Sequence, residues 1–456
     1  MDINIDNTKK IHMVGIGGVS MSGIADILMN LGYTVTGSDA NESDITKRLE
    51  TQGIPVKIGH FPENVHGADV VVYTAAVKQD NPELVEAHNL NIETIERSDF
   101  LGMLTKLYKE TIAISGTHGK TTTTSMVSSI FLKAATDPTI QVGADLSVLD
   151  GLNYRVGKSD YFIVEACEYV RSFLKFFPRT AVVLNIEEEH LDCYKDLEDI
   201  KNAFNSFLDI PSENGTIILN ADDSDCMAIS QNHKAKLITF GIDNSATWTA
   251  TNIQKNLDGT YSFTAKNDSE ELNVKLSVFG YHNIYNALAA IAVSKSYNLP
   301  NEAIIAGLLA FGGAKRRFEY VGTYRGAKIY DDYAHHPTEI KATLKTAKAI
   351  NNKKIWVVFQ PHTYSRTHTL FDKFVTAFED AGEVIVLDIY AAREKDTGIV
   401  SSRQLATKIN EHSNNAVYLS TIPEALSYLK AKMKHGDILL TIGAGDVTNL
   451  GRKLGQ

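Results

Sequence analysis

A lysine and two threonines follow a glycine-rich turn at residues 115–122, whose sequence is SGTHGKTT. The turn comes after an apolar run at 111–114, which predicts a strand, and before a stretch at 123–132 that predicts a helix. Backbone N–H groups at such a turn bind phosphate oxygens, lysine adds positive charge and the threonine hydroxyl can bind Mg²⁺. The motif therefore predicts nucleoside triphosphate chemistry. The alternative is a plain helix start that is capped by Ser115 or Thr117.

A second glycine-rich turn lies at residues 15–23, between another predicted strand and helix. Gly15 and Gly17 match the first two positions of a dinucleotide-binding turn, and Ser20 occupies the third glycine position. Asp39 closes the next strand, about 20 residues later, where an acid can bind a ribose hydroxyl. We interpret the turn as a diphosphate-sugar site. A purely structural turn and a nicotinamide-dependent oxidoreductase are the alternatives, although the latter would not need the Lys120 loop.

Acidic residues and a histidine follow two later strands. Glu165 closes a predicted strand at 161–165, so we expect it beside the phosphate loop, where a carboxylate suits Mg²⁺. His190 follows a predicted strand at 181–185, although a histidine in an acidic loop is more often a surface residue. The acids at 187–189 are interpreted as a solvated face.

Two asparagines near residue 285 lie one helical turn apart. Asn283 and Asn286 carry amides that can pair with an adenine edge, because an amide both donates and accepts. Helix capping by Asn283 is the alternative.

Polar residues also follow two strands of the last third of the chain. They form the stretches DDYAHHP at 331–337 and QPHTYSR at 360–366, and Pro337 predicts a helix start. Arg316 and Arg317 precede them, and guanidinium groups favour carboxylate and phosphate. Zinc binding by His335 and His336 is the weaker alternative, because no third ligand stands at a recognised spacing.

Length and composition set the class of protein. A chain of 456 residues indicates about three domains. The net charge of −10 argues against a general nucleic-acid or membrane-surface binder. Three cysteines without a CxxC pair favour small buried residues in a reduced protein. No leader and no apolar run of about 18 residues is seen, so we expect a cytoplasmic protein without a membrane span.

Apolar strands alternate with helical stretches throughout, which predicts an α/β fold with mostly parallel sheets. We expect three domains, a Rossmann-like one at 1–107, a P-loop ATPase-like one at 108–313 and a second Rossmann-like one at 314–456. The sequence does not distinguish a monomer from a homodimer.

The combined motifs resemble the Mur ligase superfamily of ATP-dependent amide-bond formers, over nearly the whole chain. The resemblance rests on the phosphate loop, Glu165, Asn185 with His190, Asn283 with Asn286, and residues 331–337. Within the superfamily, residues 15–23, 331–337 and 360–366 together resemble the branch that joins L-alanine to UDP-N-acetylmuramate. A sister ligase that adds another amino acid or a peptide to the same UDP-sugar is the alternative.

The resemblance implies a reaction and its cofactors. ATP would phosphorylate the lactyl carboxylate of UDP-N-acetylmuramate, the amine of L-alanine would attack the acyl phosphate, and ADP and phosphate would leave. Mg²⁺ would assist. The reaction would belong to peptidoglycan precursor synthesis.

The resemblance also implies site residues. The UDP-sugar would be bound by Gly15, Gly17, Gly18, Ser20 and Asp39. ATP would be bound by Gly116, Thr117, His118, Gly119, Lys120, Thr121, Thr122, Asn286 and Asp332, with Asn286 at adenine and Asp332 at the ribose. The metal would be held by Thr121, Glu165 and His190, and the groups acting on the reacting phosphate would be Lys120, Glu165, His190 and Arg317. L-alanine would meet Tyr333, His362 and Arg366.

Three positions depart from the pattern of the resembled branch. Ser20 replaces a glycine, Glu189 stands where an aspartate usually precedes the histidine, and Thr363 replaces a common arginine.

Overall fold

A computed structural model describes residues 10–190, 193–350, 353–392 and 394–455. These residues form two compact units. The first unit comprises the described residues up to Glu187, together with Glu198–Phe240 and Ala289–Gly307. The second comprises the described residues of Glu188–Leu197, then Gly241–Leu288, and those from Leu308 onward.

The first unit begins with a five-stranded parallel sheet of order β3-β2-β1-β4-β5. Its strands are β1 (Lys10–Val14), β2 (Thr34–Asp39), β3 (Val56–Ile58), β4 (Val70–Tyr73) and β5 (Glu93–Glu96). The helices are α1 (Val19–Asn30), α2 (Asp44–Thr51), α3 (Pro82–Asn89) and α4 (Arg97–Thr105), with a 3₁₀ turn at Pro62–Val65. The strand order reverses at β1, and ligands bind at such a point in open α/β sheets. The glycine turn after β1 therefore lies at the expected edge.

A second sheet of the first unit carries the phosphate loop. Its strands are β6 (Glu110–Ser115), β7 (Thr139–Leu146), β8 (Leu152–Arg155), β9 (Tyr161–Glu165), β10 (Thr180–Val183), β11 (Thr216–Asn220) and β12 (Lys236–Gly241), in the order β12-β11-β10-β6-β9-β7-β8. Only β8 among these pairs antiparallel in the described registers. Its helices are α5 (Lys120–Lys133), α6 (Leu197–Leu208) and α7 (Ser224–Ala228), with 3₁₀ turns at Ser147–Leu149 and Tyr169–Lys175.

The second unit contains an antiparallel part and a mostly parallel sheet. The antiparallel strands are β13 (Trp248–Lys255), β14 (Thr260–Lys266) and β15 (Glu271–Phe279). The helices α8 (His282–Ser296) and α9 (Asn301–Ala310) follow in the chain, and their residues from Ala289 to Gly307 belong to the first unit. The mostly parallel sheet contains β16 (Glu319–Tyr324), β17 (Ala327–Asp332), β18 (Ile355–Phe359), β19 (Glu383–Val386), β20 (Ala416–Tyr418) and β21 (Ile438–Ile442), in the order β16-β17-β21-β18-β19-β20. Its helices are α10 (Pro337–Ile350), α11 (Tyr364–Thr369), α12 (Phe371–Val375), α13 (Ser402–Ser413), α14 (Ile422–Lys432) and α15 (Thr448–Gly455).

The predicted α/β class with largely parallel sheets is confirmed. Continuous apolar runs such as β18, which is buried at every residue, form the sheet centres because both faces are covered. Strict alternation in β15 gives an edge strand with one buried face. The domain limits at residues 107 and 313 remain a prediction.

The structure also bears on the predicted burial of the cysteines and on membrane-spanning helices. The prediction that all three cysteines are buried is wrong, since Cys226 is buried, Cys193 is half-buried and Cys167 is exposed. Within the described part of the chain, none of the helices has both the length and the apolar character needed to cross a membrane.

Candidate active site

The phosphate loop joins β6 to α5. Gly119 is the residue before the helix, and its φ of 84° lies in the left-handed region that glycine adopts without a steric penalty. No side chain caps the helix start, so the alternative of capping by Ser115 or Thr117 is wrong. Ser115 instead ends β6 as a buried residue. The start of α5 therefore has no side-chain cap, and N–H groups at such a helix start can bind an anion.

Asn185, immediately beyond β10, holds this loop in place. Its side-chain oxygen accepts the His118 N–H at 2.7 Å, and its side-chain amide donates to the His118 carbonyl at 3.0 Å. The Asn185 carbonyl accepts the Thr117 N–H at 3.0 Å. The Thr117 hydroxyl accepts the Glu187 N–H at 2.9 Å. The sequence motif includes Asn185 but does not predict that its side chain fixes the loop.

Lys120 folds back over its own loop. Its ammonium donates to the carbonyls of Gly116 at 2.6 Å and Thr117 at 2.9 Å, and to Glu168 Oε1 at 3.0 Å. Burial by itself lowers the pKa of Lys120, but the carboxylates of Glu168 and Glu165 outweigh it and raise the pKa above its usual value. Lys120 is therefore a protonated, preoriented cation. The contact of Glu168 with Lys120 was not predicted, although Glu168, which is 3% exposed, is the first acid after β9.

Glu165 lies where the strand pattern placed it, at the end of β9 and paired in register with Ile114 of β6. Its Oε1 accepts the Thr121 hydroxyl at 3.1 Å, and its Oε2 accepts the Gly143 N–H at 2.7 Å. Thr121 is the second residue of α5, and Thr122 follows it in the first turn. Adjacent hydroxyl and carboxylate oxygens form the donor set that Mg²⁺ prefers. These residues fit the metal assigned to them.

The glycine turn after β1 bonds to the end of β2. Gly15 N–H and Ile16 N–H both donate to the Ser38 carbonyl, at 2.8 and 3.0 Å. Gly17 N–H donates to Asp39 Oδ2 at 2.9 Å. Asp39 therefore holds the turn in place. The sequence predicts only a contact of Asp39 with a ribose.

The helix after this turn begins next to an arginine. Gly18 is the residue before α1, and Ser20 lies in its first turn. Arg97, the first residue of α4, donates to the Ser20 hydroxyl at 3.3 Å. Arg97 was not predicted, and its cation lies at the same turn as the proposed diphosphate site.

The two asparagines of the second unit lie in the first turns of α8. The Asn286 side-chain amide donates to Asn283 Oδ1 at 2.8 Å, and the Asn283 amide donates to the Phe279 carbonyl at 2.6 Å. α8 begins at His282, so Asn283 is inside the helix and is not its cap. The capping alternative for Asn283 is therefore wrong, and both amides are buried on one face.

Asp332 is a buried acid at the end of β17. Its oxygens accept the N–H of Ala334 at 2.8 Å, the N–H of Phe318 at 3.0 Å and the hydroxyl of Thr343 at 3.2 Å. Burial raises the pKa of Asp332 to about 6, although Arg317 and these hydrogen bonds oppose the rise. The carboxylate is fixed in place before any substrate arrives.

The two arginines before β16 have different surroundings. Arg316 is anchored to Asp331 at 3.2 Å and to the Gly443 carbonyl at 2.6 Å. The Arg317 guanidinium has a looser ion pair with Glu339 at 3.9 Å. Both lie over the Tyr333 ring, at 4.8 and 5.4 Å from its centroid. Arg317 is therefore the less constrained of the two cations, and its phosphate contact stays a prediction.

Arg366, in α11, pairs with Glu189. Its Nε and Nη2 both donate to Glu189 Oε1, at 2.9 and 2.7 Å, and its Nη1 lies 3.0 Å from His362 Nδ1. Glu189 is 8% exposed, so its interpretation as part of a solvated face is wrong. Burial would raise its pKa, but Arg366 and His335 offset burial and hold the pKa at about 2. Arg366 and His362, which the family resemblance assigns to one amino-acid site, lie side by side.

His190 and His362 take different positions around Glu189. His190 has a φ of 56°, and its N–H contacts Glu189 Oε1 at 3.3 Å. The His362 ring is stacked on Tyr390 with centroids 5.8 Å apart. Burial, followed by the charges of His335 and Arg366, lowers the pKa of His362 to about 4. His362 is therefore neutral at physiological pH. Thr363, in place of the common arginine, caps α11 by accepting the Arg366 N–H.

Comparison with known proteins gives one consistent result. Residues 10–109 match the model of the Mur ligase family catalytic domain, residues 114–294 the Mur ligase middle domain, and residues 316–445 the Mur ligase glutamate ligase domain. The chain belongs to the Mur ligase family.

Individual relatives and solved structures show which kinds of Mur ligase the chain is similar to. The chain is 52% identical to a UDP-N-acetylmuramate–L-alanine ligase of Acetivibrio thermocellus, over 97% of this chain and 95% of the relative. It is 52% identical to the ligase of the same description from Clostridium novyi, over 98% and 97%. Among solved structures, the UDP-N-acetylmuramate-alanine ligase of Thermotoga maritima matches with a TM-score of 0.81, 29% identity and 98% of both chains. A murein peptide ligase of Psychrobacter arcticus matches with a TM-score of 0.71, 25% identity and 98% of both chains.

Proposed function

We propose that this protein catalyses ATP-dependent ligation of L-alanine to the lactyl carboxylate of UDP-N-acetylmuramate. The products are UDP-N-acetylmuramoyl-L-alanine, ADP and phosphate, in cytoplasmic synthesis of peptidoglycan precursors. The observation that carries the proposal is the phosphate loop with Lys120 and Glu165 in a chain about half identical to alanine ligases over its length.

The reaction proceeds in two bond exchanges. A carboxylate oxygen of the UDP-sugar attacks the γ-phosphorus of ATP, and the bond to ADP breaks. The uncharged amine of L-alanine then attacks the carbonyl carbon of the acyl phosphate. The bond between this carbon and the bridging oxygen breaks, so inorganic phosphate leaves with the oxygen that came from the carboxylate. The new amide nitrogen loses a proton. Neither step needs a nucleophilic side chain, because the substrates supply both nucleophiles.

The main obstacle is the approach of one anion to another. Lys120 binds the β- and γ-phosphates, and Arg317 binds the γ-phosphate, so positive charge faces the phosphoryl group as it moves. Thr121 and Glu165 would hold one Mg²⁺ and His190 a second, and the bound ions would supply positive charge that offsets the phosphate charge. Fixing the reacting groups in line contributes on the order of 7–11 kcal/mol.

The remaining residues bind and orient the substrates. The turn at Gly15, Gly17, Gly18 and Ser20 and the acid Asp39 bind the UDP-sugar. The loop residues Gly116, Thr117, His118, Gly119 and Thr122 bind the phosphates, Asn286 the adenine and Asp332 the ribose. Tyr333, His362 and Arg366 form the amino-acid site, with Arg366 at the carboxylate. The proposed domains are residues 1–107, 108–313 and 314–456, in a monomer or homodimer.

The direct test is release of phosphate from ATP in the presence of Mg²⁺, UDP-N-acetylmuramate and one amino acid at a time. We expect L-alanine to give the highest kcat/KM, above glycine, L-serine and D-glutamate. A preference for a peptide or another amino acid would assign the chain to a sister ligase. Reduction of a nicotinamide cofactor without phosphate release would overturn the ligase proposal.

A further inference from the structure

The charges around Lys120 are predominantly negative. Lys120 Nζ lies 2.9 Å from Glu168 Oε2, with the lysine side chain 14% exposed and the glutamate side chain 3% exposed. Glu165 lies against Thr121, the next residue, at 3.1 Å. One ammonium therefore stands beside two carboxylates at the loop proposed to bind phosphate. Glu187 adds a third carboxylate, 3.5 Å from His118 Nε2.

Glu168 occupies a hydrogen-bonding position that a phosphate would need. An ammonium has three N–H donors. At Lys120 two of these donors meet the carbonyls of Gly116 and Thr117, and Glu168 accepts the third. A phosphate that engages Lys120 therefore competes with the Glu168 carboxylate, and the two anions repel each other strongly because the Lys120 and Glu168 side chains are largely buried.

We propose that Glu168 makes this loop select a nucleotide complexed with a divalent cation and reject the metal-free nucleotide. The bound cation supplies the positive charge that Lys120 cannot give to both carboxylates and the phosphates. A metal-free nucleoside triphosphate carries two more negative charges than its complex with a divalent cation. Its phosphates are therefore repelled by the carboxylates beside Lys120, with no cation to offset the repulsion. Glu168 thus determines which form of the nucleotide binds, whereas Glu165 is a proposed ligand of the metal. This inference rests on the proposed binding of ATP at the loop.

The test measures nucleotide binding, and needs no turnover. Isothermal titration calorimetry on the full chain gives the Kd of a non-hydrolysable ATP analogue in excess Mg²⁺ and in EDTA. For Glu168→Gln we expect metal-free affinity to rise at least about tenfold, while affinity in Mg²⁺ changes less than about threefold. Glu168→Asp keeps the charge and should retain the wild-type ratio of the two Kd values. The matched control is Asp160→Asn, because Asp160 is an exposed acid paired with Lys109 at 3.0 Å.

The outcomes separate the inference from the proposed function. If the wild type binds the analogue with Mg²⁺ but Glu168→Gln keeps the wild-type ratio, the inference is overturned and the ligase proposal stands. If the wild type binds no analogue with Mg²⁺, the proposed ATP site itself is wrong. If Glu168→Gln does not fold, Glu168→Ser provides the same comparison, with thermal unfolding as the check on folding.

Discussion

At the scale of single residues, two cations assigned to substrate anions are each paired with a buried glutamate. Lys120 pairs with Glu168 in the first unit, and Arg366 pairs with Glu189 in the second. A charge removed from water needs a partner, because an unpaired buried charge costs several kcal/mol. The glutamates therefore orient each cation and compensate its charge. They also mean that removing either cation leaves a buried anion behind.

Arg366 is the first residue whose role can be measured. We expect Arg366→Lys to raise the KM for L-alanine at least about tenfold with a smaller change in kcat, because lysine cannot form the planar two-point contact of a guanidinium with a carboxylate. Steady-state phosphate release at varied L-alanine measures both constants. Arg366→Lys is preferred to Arg366→Ala because it leaves Glu189 a cationic partner. An unchanged KM would remove Arg366 from the amino-acid site.

His362 gives the protein a specific pH dependence. Its pKa is lowered from 6.5 to about 4, so the unfolded chain binds a proton at His362 more readily than the folded chain does. The contribution of His362 to the free energy of unfolding is therefore constant above pH 6.5 and becomes destabilising as the pH falls from 6.5 toward 4. Because the ring is partly exposed, we expect a loss of about 1 kcal/mol.

The check is thermal unfolding of the wild type and His362→Gln at pH 7.5 and pH 5. Glutamine does not titrate, so the midpoint of the variant should fall less than that of the wild type between the two pH values. His412→Gln is the control, since His412 is a half-exposed helix residue beside Glu379. Equal falls in all three proteins would contradict the assignment.

At the scale of elements, the carboxyl ends of strands position the candidate site residues. The turn after β1 and the loop after β6 were predictable, because an apolar strand, a glycine turn and a helix follow each other in the sequence. The partners across the sheet were not predictable in the same way. Asn185 bonds to His118 across 67 residues, and Glu189 pairs with Arg366 across 177. Such pairs depend on strand order, which a single sequence does not state.

Gly143 in β7 lies close to Glu165, and this contact allows a test of Glu165 as a metal ligand. A Cβ at Gly143 would lie 2.7 Å from Glu165 Oε2, so Gly143→Ala forces the carboxylate to move. The fold should survive, because the displaced atom is the end of a flexible side chain. We expect the Mg²⁺ concentration for half-maximal activity to rise at least about fivefold, since metal sites tolerate only small changes in ligand position.

Gly312→Ala is the matched control for this variant. A Cβ at Gly312 meets no atom within 4 Å in the described structure. The two proteins should unfold at similar temperatures, and only Gly143→Ala should show the altered Mg²⁺ requirement. A wild-type requirement in Gly143→Ala would argue against Glu165 as a metal ligand.

At the scale of the whole molecule, the chain distributes its motifs over separate sheets. The alternation of strands and helices predicted the α/β class correctly, and each glycine turn was assigned to a different sheet, as observed. The sequence did not reveal that the described residues form two compact units, with the second drawing on residues 188–197 and 241–288 as well as the C-terminal part. Compactness depends on long-range contacts that periodicity does not encode.

Because the two glycine turns lie on different sheets, we expect ATP and the UDP-sugar to bind independently of each other. Lys120→Ala removes the cation of the loop after β6, while the turn after β1, with Gly17 N–H on Asp39, lies on another sheet. We therefore expect turnover to fall at least about a thousandfold, because stabilisation of the transferring phosphoryl group is lost, while the Kd for UDP-N-acetylmuramate stays within about threefold of the wild type. Phosphate release and calorimetric titration with the UDP-sugar measure the two quantities.

The Lys120→Ala experiment needs a control for stability, because the variant leaves Glu168 without its ion pair, which costs about 3–5 kcal/mol in buried pairs. Titrations should be made well below the unfolding midpoint of the variant. Lys109→Ala is the matched control, since Lys109 is 80% exposed and pairs with Asp160 on the surface. If Lys120→Ala retained turnover, the loop would not be the site of phosphoryl transfer. If it lost UDP-sugar binding while remaining folded, the two sheets would not bind their nucleotides independently.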